Sequence, residues 1–169
     1  MPTTPRSNPS SEEADLGLVD ALAQLSFAVQ GALGRIAAAH GLSMAQGRLL
    51  GILRDRQPTI NELAGILQLD KSSVTGLVDR AHARGLVRRT ASPFDGRSVH
   101  VSITRAGRRL AHDAGAAFED EVAVLVGELT TTARARLSTI ASEVVIADAR
   151  RRGVDVLSVE TASRQVSNA

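Results

Sequence analysis

Three features of this 169-residue sequence predict a mainly α fold, about six helices with one two-stranded β-wing. The first is helical spacing of apolar residues at both ends of the chain. Leu18, Leu22, Leu25, Val29, Leu33 and Ile36 form one stripe; Leu110, Ala114, Phe118, Val122, Leu125 and Leu129 form another. The second is a single stretch of period two, in which Val99, Val101 and Ile103 alternate with Ser98, His100 and Ser102 after a polar turn containing Asp95-Gly96. The third is capping chemistry: Ser43, Thr59 with Glu62 three residues on, Asp70 or Ser72, and Thr104 each open an apolar-periodic run.

Taken in order, residues 1–14 are rich in Pro, Ser, Thr and Glu and read as a disordered arm. Residues 15–40 read as one helix, ended by Gly41. Its many alanines and glycines permit close approach of another helix, and a second copy of the chain is a natural source, so this is expected to be a dimerisation helix. A helix opened by Ser43 stops before Pro58, and a short one follows the Thr59–Glu62 capping box. The next places Val74, Leu77, Val78 and Ala81 on one buried face, with Ser72, Ser73, Thr75, Gly76, Asp79 and Arg80 looking outward. Gly85 stops it, and the hairpin follows. Two short helices, a tight turn and a two-stranded ribbon in that order make a winged helix-turn-helix, expected over residues 43–105. Residues 106–152 should form two further dimerisation helices, the first running through Leu129 and the second from about Thr132 to Arg150. Gly153 closes the last, and residues 153–169 are a tail.

Composition narrows the function. Hydrophobic residues at 43% are ample for a core. No apolar run is long enough to span a bilayer and the N-terminus lacks the apolar centre of a signal peptide, so no membrane partner and a cytoplasmic location are expected. The absence of cysteine excludes disulfides, thiolate metal sites and thiol redox switching. Lys71 is the sole lysine, so the arginines raise the sequence pI to about 10.3 while the formal charge is only +2. The charge is concentrated. From Lys71 to Leu110 nine basic residues face only Asp79 and Asp95, a net of +7, which leaves the rest of the chain at −5. A basic helix followed by an arginine-bearing hairpin suits a polyanion.

The run from Leu42 to Leu110 resembles the DNA-binding core of the MarR family of transcriptional regulators. The matching segments are I-x-E-L-A at Ile60 to Ala64, S-x-V-T-x-L-V-D-R at Ser72 to Arg80, G-L-V at Gly85 to Val87, and D-x-R followed by a strand and T-x-x-G at Asp95 to Gly107. The resemblance covers about residues 15–150. It implies a homodimer held by the terminal helices, a near-palindromic double-stranded DNA operator, repression as the mode of action, and release by a small-molecule effector.

A helix entering the major groove has its N-terminal turn nearest the bases, so Lys71, Ser72, Ser73 and Thr75 are the candidates for base-edge or phosphate contact, and Arg80, two turns on, for phosphate. Arg97 resembles the family arginine that enters the minor groove, and Asp95 the carboxylate that orients it. Gly76 departs from the family pattern, since many relatives carry a polar side chain there. Either the backbone approaches DNA closely at Gly76, or fewer bases are read directly.

The resemblance further implies an effector cleft between the dimer helices and the winged domain, where Phe27, His40, Met44, Arg48 and His112 are able to stack on or pair with a small anion. With no Trp or Tyr and only Phe27, Phe94 and Phe118 as aromatics, flat phenolics should bind weakly. The four histidines show no ligand spacing, and neither a glycine-rich phosphate loop nor a nucleophile motif is present, so no catalysis and no cofactor are expected. Two other classes stand beside DNA binding: a winged helix that binds protein, and a metal-responsive regulator using His40 and His112 with Asp113 or Glu62.

Overall fold

The computed structural model describes residues 15–91 and 99–154. Among them are six helices, α1 (Gly17–Ala39), α2 (Met44–Leu53), α3 (Ile60–Leu67), α4 (Lys71–Ala83), α5 (Arg105–Leu125) and α6 (Thr131–Arg151). Strands β1 (Val87–Ala91) and β2 (Val99–Ile103) lie between α4 and α5 and pair antiparallel, Val87 opposite Ile103 and Ala91 opposite Val99. The arm, the hairpin tip with Asp95 and Arg97, and the tail beyond Val154 lie outside the described residues.

Side-chain caps set the helix starts. Ser43 and Gln46 form a reciprocal capping box on α2, and Thr59 and Glu62 form one on α3. Asp70, not Ser72, caps α4, its carboxylate accepting from Ser73 N at 2.8 Å. Thr104 caps α5 and Thr130 caps α6. Gly41 and Gly85 leave their helices at φ +64° and +68°, conformations that a side chain disfavours. The turn between α3 and α4 is made without glycine: Gln68 takes φ 57°, which for an L-residue costs about 1–2 kcal/mol.

One hydrophobic core joins α2, α3, α4 and the sheet. Leu49, Leu50 and Leu53 of α2 meet Leu63 and Leu67 of α3, Val74, Leu77, Val78 and Ala81 of α4, and Val87, Val101 and Ile103 of the strands. The face of α4 that its spacing marks as apolar is therefore the buried one.

Three details differ from the sequence expectation. Alternation places Ser102 outward, but it is only 5% exposed. Arg88 across the ladder donates from Nε to Ser102 Oγ at 2.9 Å and covers it. His100 is likewise half-buried, because β2 has a neighbour on its other edge: Thr59 forms an isolated antiparallel bridge with His100, and Val101 N donates to Pro58 O at 2.9 Å. The helix expected to run through Leu129 ends at Leu125, and Val126 to Leu129 make the turn into α6.

The terminal helices bury little within the chain. Residues buried on α1 are Ala32, Ile36 and Ala37; α5 buries Gly107 and α6 Ala149. Leu18, Val19, Leu22, Val124, Ile140, Val144 and Val145 are all exposed by more than half their area. No described helix is long and apolar enough to cross a membrane.

Candidate nucleic-acid interface

The N-terminal turn of α4 is open to solvent at Lys71, Ser72 and Ser73, while Thr75 is half-buried. Its hydroxyl protons are already engaged. Ser72 and Ser73 donate to the two carboxylate oxygens of Asp70 at 2.5 and 2.6 Å, and Thr75 donates to Lys71 O at 2.8 Å. What these oxygens offer outward is lone pairs, suited to amino donors on a base edge. The Ser72 hydroxyl, then the Ser73 hydroxyl and backbone N–H, hold the Asp70 carboxyl well below the usual carboxylate range. A fixed negative charge thus stands at the mouth of the helix, spread over three donors.

Gly76 has a local counterpart. A Cβ there would lie 3.3 Å from Arg80 Nη1, so the Arg80 guanidinium lies back along the helix over the glycine. The side chains of Lys71, Arg80, Arg105 and Arg109 make no hydrogen bond or ion pair among the described residues.

The other cations of the stretch act as staples. Arg89 of β1 pairs with Asp79 of α4 at 2.7 Å and donates to Thr75 O at 3.4 Å, tying the hairpin to α4. Arg84, just past the end of α4, donates to Gly41 O at 2.8 Å and to buried Gln46 Oε1 at 3.3 Å. Arg88 is held by Ser102, and Arg108 donates to Arg54 O at 3.1 Å. Counting charge along the sequence treats all nine basic residues alike. A helix-to-strand pair such as Asp79–Arg89 has no characteristic spacing, so only the fold separates staples from unpaired cations.

The five side chains assigned to an effector cleft are spread over α1, α2 and α5. Phe27 is 66% exposed. His40 Nδ1 donates to Ile36 O at 2.9 Å, and the Met44 methyl lies 3.4 Å from where a Gly34 Cβ would stand. Arg48 is exposed, and His112 is exposed beside Asp113 at 3.5 Å. None of the five lines either of two cavities: one of about 580 Å³ between α3, β2 and the end of α6, the other of about 250 Å³ between α1 and α5 beside the Arg35–Glu121 pair. No three His, Asp or Glu side chains among the described residues are grouped to hold a metal, His40 and His112 included.

A sequence profile described as the MarR family matches residues 40–98, the span from the end of α1 to the second strand of the wing. Among solved structures the chain is similar to a MarR-family transcriptional regulator from Rhodococcus sp. RHA1, with 25% identity and a TM-score of 0.66 over 73% of this chain and 89% of that one. CouR from Rhodococcus jostii RHA1, solved with p-coumaroyl-CoA, matches with 26% identity and a TM-score of 0.64 over 73% of this chain and 88% of its own. MarR from E. coli in its apo form matches with 24% identity and a TM-score of 0.67, over 76% and 96% respectively. No curated protein sequence matches significantly. The profile falls on the helix-turn-helix and wing that carry the open α4 turn, and the structural matches extend to the flanking helices. Proteins of this family are DNA-binding transcription regulators, not enzymes. Residues 40–98 thus match the MarR family profile, and the chain has the winged helix-turn-helix fold of the MarR-family regulators it is similar to.

Proposed function

We propose that the protein works as a homodimeric repressor that binds a near-palindromic operator. Lys71, Ser72, Ser73 and Thr75 of α4 would meet base edges and phosphates in the major groove, Arg80 would meet phosphate, and Arg97, oriented by Asp95, would enter the minor groove. The observation that carries this reading is the open N-terminal turn of α4 within a segment of net charge +7, clamped to its wing by Asp79–Arg89. Phosphates attract such a segment whatever the sequence, and an ordered recognition turn adds discrimination.

The dimer reading rests on the exposed apolar residues of α1, α5 and α6. A monomer rarely leaves so many large apolar side chains of its terminal helices in water. A second copy covering these helices would bury them and set two α4 helices one DNA turn apart, about 34–36 Å. Release by a small molecule is the regulatory part of the proposal. In CouR, the solved complex holds p-coumaroyl-CoA. Here the cleft between the dimer helices and the winged domain would use Phe27, His40, Met44, Arg48 and His112. An effector acts only if it binds the DNA-incompetent conformation more tightly.

A gel shift on the DNA upstream of the protein's own gene, run at several stated salt concentrations, tests the reading. A discrete complex that resists non-specific competitor supports it. Binding that competitor DNA abolishes at every salt overturns it.

A further inference from the structure

The corner that follows α4 is tied to α1 and α5, two of the helices through which the dimer reading brings in a second copy. The last turn of α4 closes firmly. Gly85 N donates to His82 O at 2.8 Å and Leu86 N to Ala81 O at 3.0 Å, with Gly85 at φ +68° and Leu86 buried, so residues 84–86 move with α4. The end of α1 closes in the same way. Gly41 N donates to Ala38 O at 2.9 Å and Leu42 N to Ala37 O at 2.8 Å, with Gly41 at φ +64° and Leu42 buried.

The Arg84 side chain spans these two corners. Its Nη1 donates to Gly41 O at 2.8 Å and to Gln46 Oε1 at 3.3 Å. Gln46 is buried, and the same Oε1 accepts from Ser43 N at 3.0 Å within the α2 capping box. One guanidinium therefore joins the end of α4 to the end of α1 and the first turn of α2. The next two residues take the start of α5: Thr104 donates from Oγ1 to Gly85 O at 2.7 Å and from N to Leu86 O at 3.0 Å. Backbone carbonyls of residues 85 and 86 make the α5 link, whereas the α1–α2 link is made by the side chain of Arg84.

We propose that Arg84 is a positioning residue for operator binding: it fixes the tilt of α4 against the α1–α2 corner, and with it the separation of the two α4 helices in the dimer. The inference rests on the homodimeric DNA-binding reading above. Leverage makes the corner matter. The 13 residues of α4 span about 20 Å, so a tilt of about 5° at this end displaces the first turn by about 1.7 Å, half the rise of one base pair. Arg84 directs its hydrogen bonds to protein acceptors, so it acts through geometry and not by neutralising phosphate.

The test uses the full chain and three duplexes carrying the operator half-sites found in the upstream DNA, at their natural spacing and at one base pair less or more. The wild type should prefer the natural spacing. Arg84→Ala should lose about three- to tenfold of that preference, the effect of one partly exposed hydrogen bond, and keep the wild-type salt slope because no phosphate contact is removed. Arg84→Met keeps the aliphatic stem without its donors, so it serves if Arg84→Ala does not fold. Arg84→Lys retains a donor within reach of Gly41 O and should recover part of the preference. Each variant is measured where urea unfolding shows it fully folded, so lost stability by itself leaves the spacing preference unmoved. Wild-type spacing preference in Arg84→Ala or Arg84→Met overturns the inference and leaves the DNA reading standing. A salt slope shallower by about one also overturns it, since Arg84 would then be a phosphate contact. A wild type indifferent to spacing overturns the dimeric DNA reading, and this inference with it.

Discussion

The main chain at Leu86 leaves Gly107 no room for a side chain. A Cβ at Gly107 would stand 2.1 Å from Leu86 O, 2.9 Å from Ile103 Cγ1 and 3.0 Å from Leu86 C. A carbon-to-oxygen contact normally settles at about 3.3 Å or more, so α5 or the start of β1 must shift by about 1 Å. Leu86 O cannot simply turn aside, because it accepts from Thr104 N at 3.0 Å and Thr104 Oγ1 at 3.1 Å. Against the clash, alanine within a helix is favoured over glycine by about 1 kcal/mol. Forced displacement in a packed region costs about 1–3 kcal/mol, and a backbone obstacle lies toward the upper end. Gly107→Ala is therefore expected to destabilise the protein by about 1–2 kcal/mol net. Gly115→Ala is the matched control on the same helix. Its nearest neighbour would be Arg54 Nη1 at 3.9 Å, so it should keep a gain of about 0.5–1 kcal/mol. Urea unfolding followed by far-UV circular dichroism, at one fixed protomer concentration, reads both. Gly107→Ala as stable as Gly115→Ala would refute the packing argument for the T-x-x-G segment.

Further outcomes are expected at the interface. Gly76→Ala should raise stability by about 1 kcal/mol, since the Cβ meets only the flexible end of Arg80, and leave operator affinity unchanged; weaker DNA binding by a more stable protein would mean that DNA approaches the helix backbone there. Arg97→Ala should weaken operator binding by about 1–3 kcal/mol and reduce the salt slope, and full affinity in this variant would remove Arg97 from the wing assignment. The Asp79–Arg89 pair is partly exposed, 56% and 34% at the side chains, so a double-mutant cycle on stability should give about 0.2–1 kcal/mol. A larger coupling would show that the clamp is more desolvated than its exposure indicates. Asp70 has a lowered folded-state pKa, so its contribution is present above the ordinary carboxylate pKa and is lost as pH falls through the folded value. Asn is itself a good cap, so Asp70→Asn should match the wild type least well near neutral pH and converge with it in acid; a gap that widens in acid contradicts the cap assignment.

Much of the fold was legible because it is written locally. Thr59 with Glu62, Thr104 with Gly107, and the i, i+3, i+4, i+7 set from Val74 to Ala81 are short-range patterns with direct structural counterparts. Burial of Ser102 was not legible, because it depends on Arg88 crossing the ladder and on Pro58 and Thr59 lining the far edge of β2. The same holds for the basic stretch, where residues distant in sequence decide whether an arginine is a staple. Gln46 shows the limit from the other side. Its capping role with Ser43 is a sequence pattern, but its burial and its bond to Arg84 come from the packing of α4 against the α1–α2 turn.

Hydroxyl-radical footprinting of the protein on the DNA upstream of its gene tests the central claim most directly, because it reads symmetry, groove and register together. Two protected half-sites related by a dyad should appear with centres about one helical turn apart, flanked by minor-groove protection that Arg97→Ala removes. A single unpaired footprint, or uniform protection along the fragment at every salt concentration, would contradict the account of a dimer that reads DNA with α4 and its wing.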